Sequence, residues 1–438
     1  MSHISHESPQ EAKKAKLFYG WYMVMAGMGI HLWISIGWVY AKQIFFTPIA
    51  LSFGWSRALM SGAFALERLE GSIASPVEGL LVDRYGPRKI MLLGTFLCGF
   101  GIISLAFLQN IYMFYFSVLL VALGQSAMMG IPRTWALVQW FRRLRGRALG
   151  IGGSGAILSG PMVIITVFLV DSLGWRPAFL VLGIATWCIN GPLCLVFRNK
   201  PQEYGYLPDG DDPDEDPKSE TNPNAKPGDK KVTSTSDEIS LSVKQSLRTP
   251  AFWLLSLVFG AQTMGANAMN IHLIPYFESI HFSTTQAVSV LGMFTLLSAI
   301  GRLGGGWAFD FFNKKMVLAF ILACEGIAFV IMVNVSVYWH VIPFALFWGI
   351  AFGGMIPARG VILSAYFGTE NIGSIMGLAQ AASVITGMLG PILLGAIFDI
   401  TDSYVLGIWI LAAAAFAAIP LIFMAKQPNL RPSDGTQS

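Results

Sequence analysis

Long apolar runs, more than any motif, limit what this 438-residue chain can fold into. Phe18–Tyr40 and Val405–Phe423 reach the roughly 20 apolar residues that carry a helix across a bilayer, and Leu254–Gly265 approaches that length with its flanks. In hydrocarbon every backbone amide must pair, so such runs are helices or strands of a closed barrel. Barrel strands alternate polar and apolar residues, and these runs do not. Composition agrees, with 54% hydrophobic and 12% charged residues, where soluble domains carry about 25% charge. The fold class that follows is an all-α polytopic membrane protein.

Hydropathy interrupted by turn residues predicts twelve transmembrane helices, at about 18–47, 57–82, 90–108, 113–140, 147–170, 177–197, 251–276, 286–309, 315–335, 339–366, 372–396 and 404–424. They group into two six-helix bundles, 18–198 and 248–426, with tails at 1–17 and 427–438. The stretch 199–247 between them is rich in Asp, Glu, Lys, Pro and Ser, and is expected to be a disordered linker. Most of the 29 Lys and Arg fall in the tails, the linker and the loops after the second, fourth and eighth helices. Only Arg57 and Arg176 fall in loops on the opposite side. Because Lys and Arg accumulate in cytoplasmic loops, both termini are placed in the cytoplasm of a cell (inner) membrane. The start MSHISHESPQEAKKAK has no apolar h-region, so no cleaved leader is read there. The +4 net charge follows from this topology and calls for no nucleic-acid partner. Cys98, Cys188, Cys194 and Cys324 all lie in apolar runs, where buried filler fits better than disulfides or a metal site.

One hairpin concentrates charge between two spans: Gly79-Leu-Leu-Val-Asp83-Arg84-Tyr-Gly86-Pro-Arg88-Lys89. It recurs as Gly306-Trp-Ala-Phe-Asp310, then Asn313, Lys314 and Lys315, at an offset of 227 residues. The same offset relates Gly146 to Gly373 and Gly150 to Gly377, and one of 230 relates Gly160-Pro161 to Gly390-Pro391. Two halves related by duplication are the architecture of a rocking transporter. The hairpin resembles the loop 2–3 signature of the major facilitator superfamily. Gly20-Trp21, Trp140-Phe141-Arg142-Arg143-Leu-Arg145-Gly146-Arg147, Gly174-Trp175-Arg176 and Leu389-Gly390-Pro391 with Asp399 are similar to monocarboxylate transporters and the bacterial oxalate:formate antiporter group. The first-span match is partial, because the acidic residue that family often places before its Gly is absent. The resemblance implies alternating access by a carrier that usually works as a monomer. Gly79, Asp83, Arg84, Gly306 and Asp310 would form its gate, with Asp83 pairing to cations of the other half.

Other chemistries find little support. Gly150-Ile-Gly152-Gly153-Ser-Gly155 has dinucleotide-loop spacing, but it lies in a membrane span with no strand before it. Packing by small residues fits it better. No P-loop lysine, nucleophile–base pair or metal cluster is present, so neither an enzyme nor a cofactor is expected.

Charges inside the spans are costly and therefore informative. Arg133, Arg302 and Arg359 each lie eight residues from the same helix end, roughly 12 Å into the membrane. Guanidinium suits a carboxylate and stays charged, so an organic-anion site is expected, with each arginine as a structural tie the alternative. The resemblance gives Arg302 the substrate role, with Arg133 and Arg359 as secondary candidates. Asn270 and His272 on helix seven join the site, where His272 can also titrate, and Pro275 should kink or end that helix. Two departures from the family bear on coupling. Ser298 stands where proton-coupled relatives place an Asp, and Tyr40 where they place a Lys, with Lys42 two residues away. Glu67, Glu70 and Glu78 fall on one helix face, spread over about 80° at a period of 3.6 residues, and offer another proton site, Glu70 first among them, or simple neutralisation of Arg133.

The expected function is secondary transport of small organic anions, of lactate or pyruvate size, linked to a proton. A dicarboxylate–monocarboxylate exchanger, using a counter-anion in place of the proton, is the nearest alternative. A drug or amphiphile exporter is a more distant one, and a nontransporting sensor or scaffold has no cytoplasmic domain to support it.

Overall fold

The computed structural model describes residues 18–39, 41–55, 57–162, 164–210 and 241–428. Among these residues there are helices and turns but no strand. Twelve rods hold most of them: α1 at 19–39 and 41–53, α2 Arg57–Tyr85, α3 Pro87–Ala106, α4 Ile111–Trp140, α5 at 145–162 and 164–173, and α6 Trp175–Leu195. The second half repeats the set: α7 Pro250–Ser279, α8 Thr284–Phe311, α9 Lys314–Val333, α10 Val341–Phe367, α11 Ile372–Thr401 and α12 Val405–Met424. Among the described residues, nine rods are long and apolar enough to cross a membrane by themselves. The other three are α2, α5 and α7. Acids and arginines dilute α2, breaks shorten α5, and Gln262, Asn267 and Asn270 dilute α7. All three pack at the seam between the halves or line the space there, as do α8 and α11.

The ends of the rods follow local chemistry. Gly86 takes φ +79 before Pro87 opens α3, which reverses the chain in a single residue. Asn110 and Thr249 accept amides of the first turns of α4 and α7, and Ser283 forms a capping box with Gln286 at α8. Pro275 neither ends nor splits α7, which runs on to Ser279.

Three rods of the first half and one of the second are interrupted. A π turn at Ser35–Val39 interrupts α1, Gly130 bends α4 ahead of Pro132, and α5 breaks at Gly153-Ser154. In the second half, α7 and α10 hold Pro275 and Pro357, and α11 divides at Met388. The halves pack α2 on α11 and α5 on α8. One apolar core runs through the first half and into the second, while another holds only second-half residues such as Phe277, Phe344 and Trp348. The four cysteines are free, three of them buried and Cys188 exposed.

Within the expected linker, residues 211–240 lie outside the described residues, but both flanks are built. Asp209, at φ +62, accepts the amides of Arg142, Arg143 and Leu144 at 3.0, 2.6 and 3.2 Å, just ahead of α5. Tyr204 and Tyr206 pack on Trp140, and Arg198 lies between Tyr19 and Tyr204 at 3.8 and 4.6 Å. At the other flank the Leu241 amide donates to the Phe367 carbonyl, and Asn371 donates to the Leu241 carbonyl. Polar composition hid these contacts, because it reports solvation and not a few specific caps. Asp209→Ala should cost about 1–2 kcal/mol, the worth of one carboxylate cap. The check is a lower unfolding temperature in detergent, and no shift would mean the flank is not holding α5.

Candidate transport site and gates

The duplicated hairpins meet the opposite half as a matched pair. Asp83 accepts the Gly373 amide at 3.1 Å, the Ser374 amide at 2.7 Å and the Ser374 hydroxyl at 2.6 Å. Asp310 accepts the Gly146 amide at 2.6 Å and the Arg147 amide and Nε at 3.0 Å each. Each acid therefore caps the other half's seam helix, α11 or α5, at its positive N-terminal end. The partners differ from the expected ones. Asp83 takes amides, a hydroxyl and the Trp135 indole at 2.8 Å, and of the two acids only Asp310 gains a cation among the described residues. Arg84 is exposed and lies over Tyr85, away from the seam.

Glycine makes this approach possible. A Cβ on Gly79 would collide with the Gly373 carbonyl, and one on Gly146 with the Gly306 carbonyl. Gly150, from the dinucleotide-like run, lies against the Arg302 carbonyl, so its smallness serves packing. Buried Arg145 adds a tie across the seam to the Ser364 hydroxyl at 2.8 Å, and Gln139 adds one to the Thr369 carbonyl at 2.6 Å. Sequence reasoning missed both ties. The end of the molecule that carries Asp83 and Asp310 is thus closed.

Above the latch lies a cavity of about 900 Å³ between the halves. On one side α2 and α4 supply Ser75, Glu78, Ser126, Arg133 and Thr134. On the other, Gln262, Asn267 and Asn270 come from α7, Arg359 from α10 and Gln380 from α11. The amides of α7 recur at helical spacing, which is the signal that could have placed Gln262 beside Asn270. Gln380 had no such signal.

The three arginines separate. Arg359 lines the cavity and forms no hydrogen bond or ion pair among the described residues; its guanidinium stacks over Phe259 at 5.1 Å. Arg133 also lines the cavity and donates to the Gly152 carbonyl at 2.9 Å. Arg302 is buried outside the lining and donates across the seam to the Gly153 carbonyl at 3.0 Å. Gly152 and Gly153 offer these carbonyls because α5 breaks there and leaves helix acceptors unused. His31 joins the two arginines at the same break.

The other candidates disperse as well. Asn270 lines the cavity. His272 is not in the lining; its Nε2 lies 3.1 Å from the Pro391 carbonyl and its ring rests on Tyr404. Tyr40 lies outside the described residues. Lys42 is held by Glu67 at 2.9 Å, and the Trp38 indole donates to the same carboxylate. Ser298 turns its hydroxyl back to the Thr295 carbonyl. Glu70 is buried outside the lining, while Glu78 is in it. Glu325 is fully buried on α9 against Gly265, behind the cavity wall.

Comparison with known proteins accounts for nearly all of the chain. The family model described as Major Facilitator Superfamily matches residues 17–322 and 275–438. Monocarboxylate transporter 4 of Gallus gallus is 22% identical, over 98% of this chain and 88% of its own. Monocarboxylate transporter 1 of Bos taurus is 25% identical, over 94% and 86%. An uncharacterised MFS-type transporter of Bacillus subtilis, YcxA, is 25% identical, over 88% and 91%. The solved Escherichia coli fucose:proton symporter superposes with a TM-score of 0.69 at 14% identity, covering 94% of this chain and all of that one, which is a likeness of fold.

Proposed function

The chain belongs to the major facilitator superfamily and is a multi-pass membrane transporter, not an enzyme, and from that premise we propose that it carries small monocarboxylates together with a proton. The observation that carries this reading is Arg359, a guanidinium in the wall of the central cavity with no acid paired to it among the described residues. A carboxylate can take two parallel hydrogen bonds from it while Asn270, Asn267 and Gln380 meet the remaining polar atoms. The relatives named monocarboxylate transporters support the same substrate class.

Alternating access follows from the latch. The bundles 18–198 and 248–426 rock as units, and the positive-inside bias puts the latch and both termini in the cytoplasm. Asp83 and Asp310 then hold the inside shut while the cavity loads. Arg302 serves the other half of the cycle. Its bond to Gly153 crosses the seam, so opening the latch breaks that bond and turns the guanidinium toward the departing anion.

Exchange is the second reading, favoured by Arg133 and Arg359 lining one cavity from opposite halves. A dicarboxylate could bridge them. Uptake of labelled lactate, pyruvate, formate and oxalate into proteoliposomes separates the two. Accumulation driven by an inward-acid gradient and abolished by a protonophore supports symport. Uptake that requires only a trapped internal anion means exchange, and uptake of none of the four removes the organic-anion reading.

A further inference from the structure

Two carboxylates share the amides at the start of α5. Asp209, in the flank that follows α6, accepts those of Arg142, Arg143 and Leu144, and Asp310, from the other half, accepts those of Gly146 and Arg147. Resting on the latch as the closing device of alternating access, we infer that Asp209 is a positioning residue of the transport cycle. It keeps the receiving loop ordered while Asp310 is away, so that the halves close again on a preformed site.

The flank is held firmly enough for that role. The Val196 carbonyl accepts the Tyr19 hydroxyl at 2.9 Å, and the Asn199 carbonyl accepts the Trp140 indole at 2.6 Å. Gly210, at φ +75, lies against the Phe18 ring, which meets the Phe141 ring edge-on at 5.5 Å. The Asp209 side chain itself is only 1% exposed. Its amide contacts are the close ones, since the Arg143 Nε stands 3.9 Å away.

The same flank reaches the second latch element of the first half. A Cβ on Gly86 would collide with the Asn199 side chain, and the Gly86 amide closes the hairpin that carries Asp83 by donating to the Val82 carbonyl. The second half is braced at the matching place. There the Leu241 amide donates to the Phe367 carbonyl at 3.0 Å, and the Asn371 amide donates to the Leu241 carbonyl at 3.3 Å. That loop leads to the Gly373 and Ser374 amides that Asp83 grips. Each flank of the segment 211–240 thus supports one of the two receiving loops.

When the latch opens, the amides of Gly146 and Arg147 lose their acceptor, and an unsupported loop would fray from there. Closing would then require its order to be rebuilt. Fixing the backbone of one residue corresponds to about a 5- to 30-fold change in an equilibrium. Asp209 belongs to the same half as the loop it caps, so its three bonds survive the rocking of the halves. It favours the closed form without touching the cavity.

The test reads latch opening and needs no substrate. Val82 is fully buried on α2 against Gly373, so a thiol there meets a water-soluble maleimide when the halves part. Full-length Val82→Cys in lipid nanodiscs, with the exposed Cys188 changed to Ala, gives the labelling rate. The same chain with Val82 retained keeps three buried cysteines and reports unfolding. Asp209→Gly removes the carboxylate without strain at φ +62 and should speed labelling of Val82→Cys at least about fivefold. Asp209→Asn keeps an acceptor and suits that backbone, so its rate should stay within about twofold of the parent. An unchanged rate in Asp209→Gly overturns the inference even where the unfolding temperature falls, because the flank would then be a local support. Equal acceleration in the Gly and Asn variants overturns it too, since the acceptor would not matter. So does equal acceleration of the buried cysteines in the chain that retains Val82, which would mean general destabilisation. Asp310→Ala breaks the latch directly and should speed labelling further. If that variant leaves the rate unchanged, the latch reading itself fails, and this inference with it.

Discussion

Arg359→Ala is expected to lower organic-anion uptake at least a hundredfold while the protein still folds and inserts. Two charge-assisted hydrogen bonds to a carboxylate are worth about 1.5–3 kcal/mol each, and every 1.4 kcal/mol is about a tenfold change in affinity. The cost to stability should be small, because among the described residues Arg359 gives up only its stacking on Phe259, about 1 kcal/mol or less at a partly solvated site. Arg359→Lys keeps the charge but loses the fork, so partial activity is expected there. Uptake measured below saturation, beside a thermal-unfolding trace, decides the matter. Near-normal uptake in the alanine variant would move the carboxylate site elsewhere, with Arg302 the first place to look.

The second large effect concerns the latch. Leucine at Gly79 or Gly146 should abolish net transport and hold the latched end apart. At Gly79 the new Cβ would also lie 2.6 Å from the Gly373 carbonyl carbon and 2.8 Å from the Ser374 Cα. Those are backbone atoms at the start of a helix, so the neighbours cannot turn aside as a side chain would. Spin labels on the exposed positions Arg84 and Lys314, one in each half, would report the outcome. A distribution shifted outward by several ångströms is expected for the leucine variants. Unchanged distances with normal transport would show that closure does not need this contact.

The sequence carried the architecture well because length, hydropathy and the 227-residue offset are local or periodic signals. It marked Asp83 and Asp310 as a related pair for the same reason. It could not say that Asp83 seeks the Gly373-Ser374 amides and not a cation, although Gly146 and Gly373 were already matched by the offset. That pairing joins residues 290 apart, and nothing along the chain encodes it. Cavity membership was hidden in a different way. Arg133, Arg302 and Arg359 share a depth, but a small rotation of each helix decides whether the guanidinium meets the cavity or the broken end of α5. The run Gly150–Gly155 was legible as packing, not as a break. Small residues permit both, and only the seated Arg133 and Arg302 show which carbonyls became free to accept.

The reciprocity of the latch has one more consequence. The acid position of one half grips the helix-start position of the other, and the grip is then returned between the equivalent residues. A contact made twice in this way is the signature of an isologous dimer, in which a single self-complementary patch closes the assembly. Two unfused six-helix chains would have needed only one such patch, and any substitution in it would have counted double. Fusion into one chain released the copies to diverge. The Trp135 indole and the Ser374 hydroxyl on one side, and the Arg147 guanidinium on the other, record how far that independence has gone.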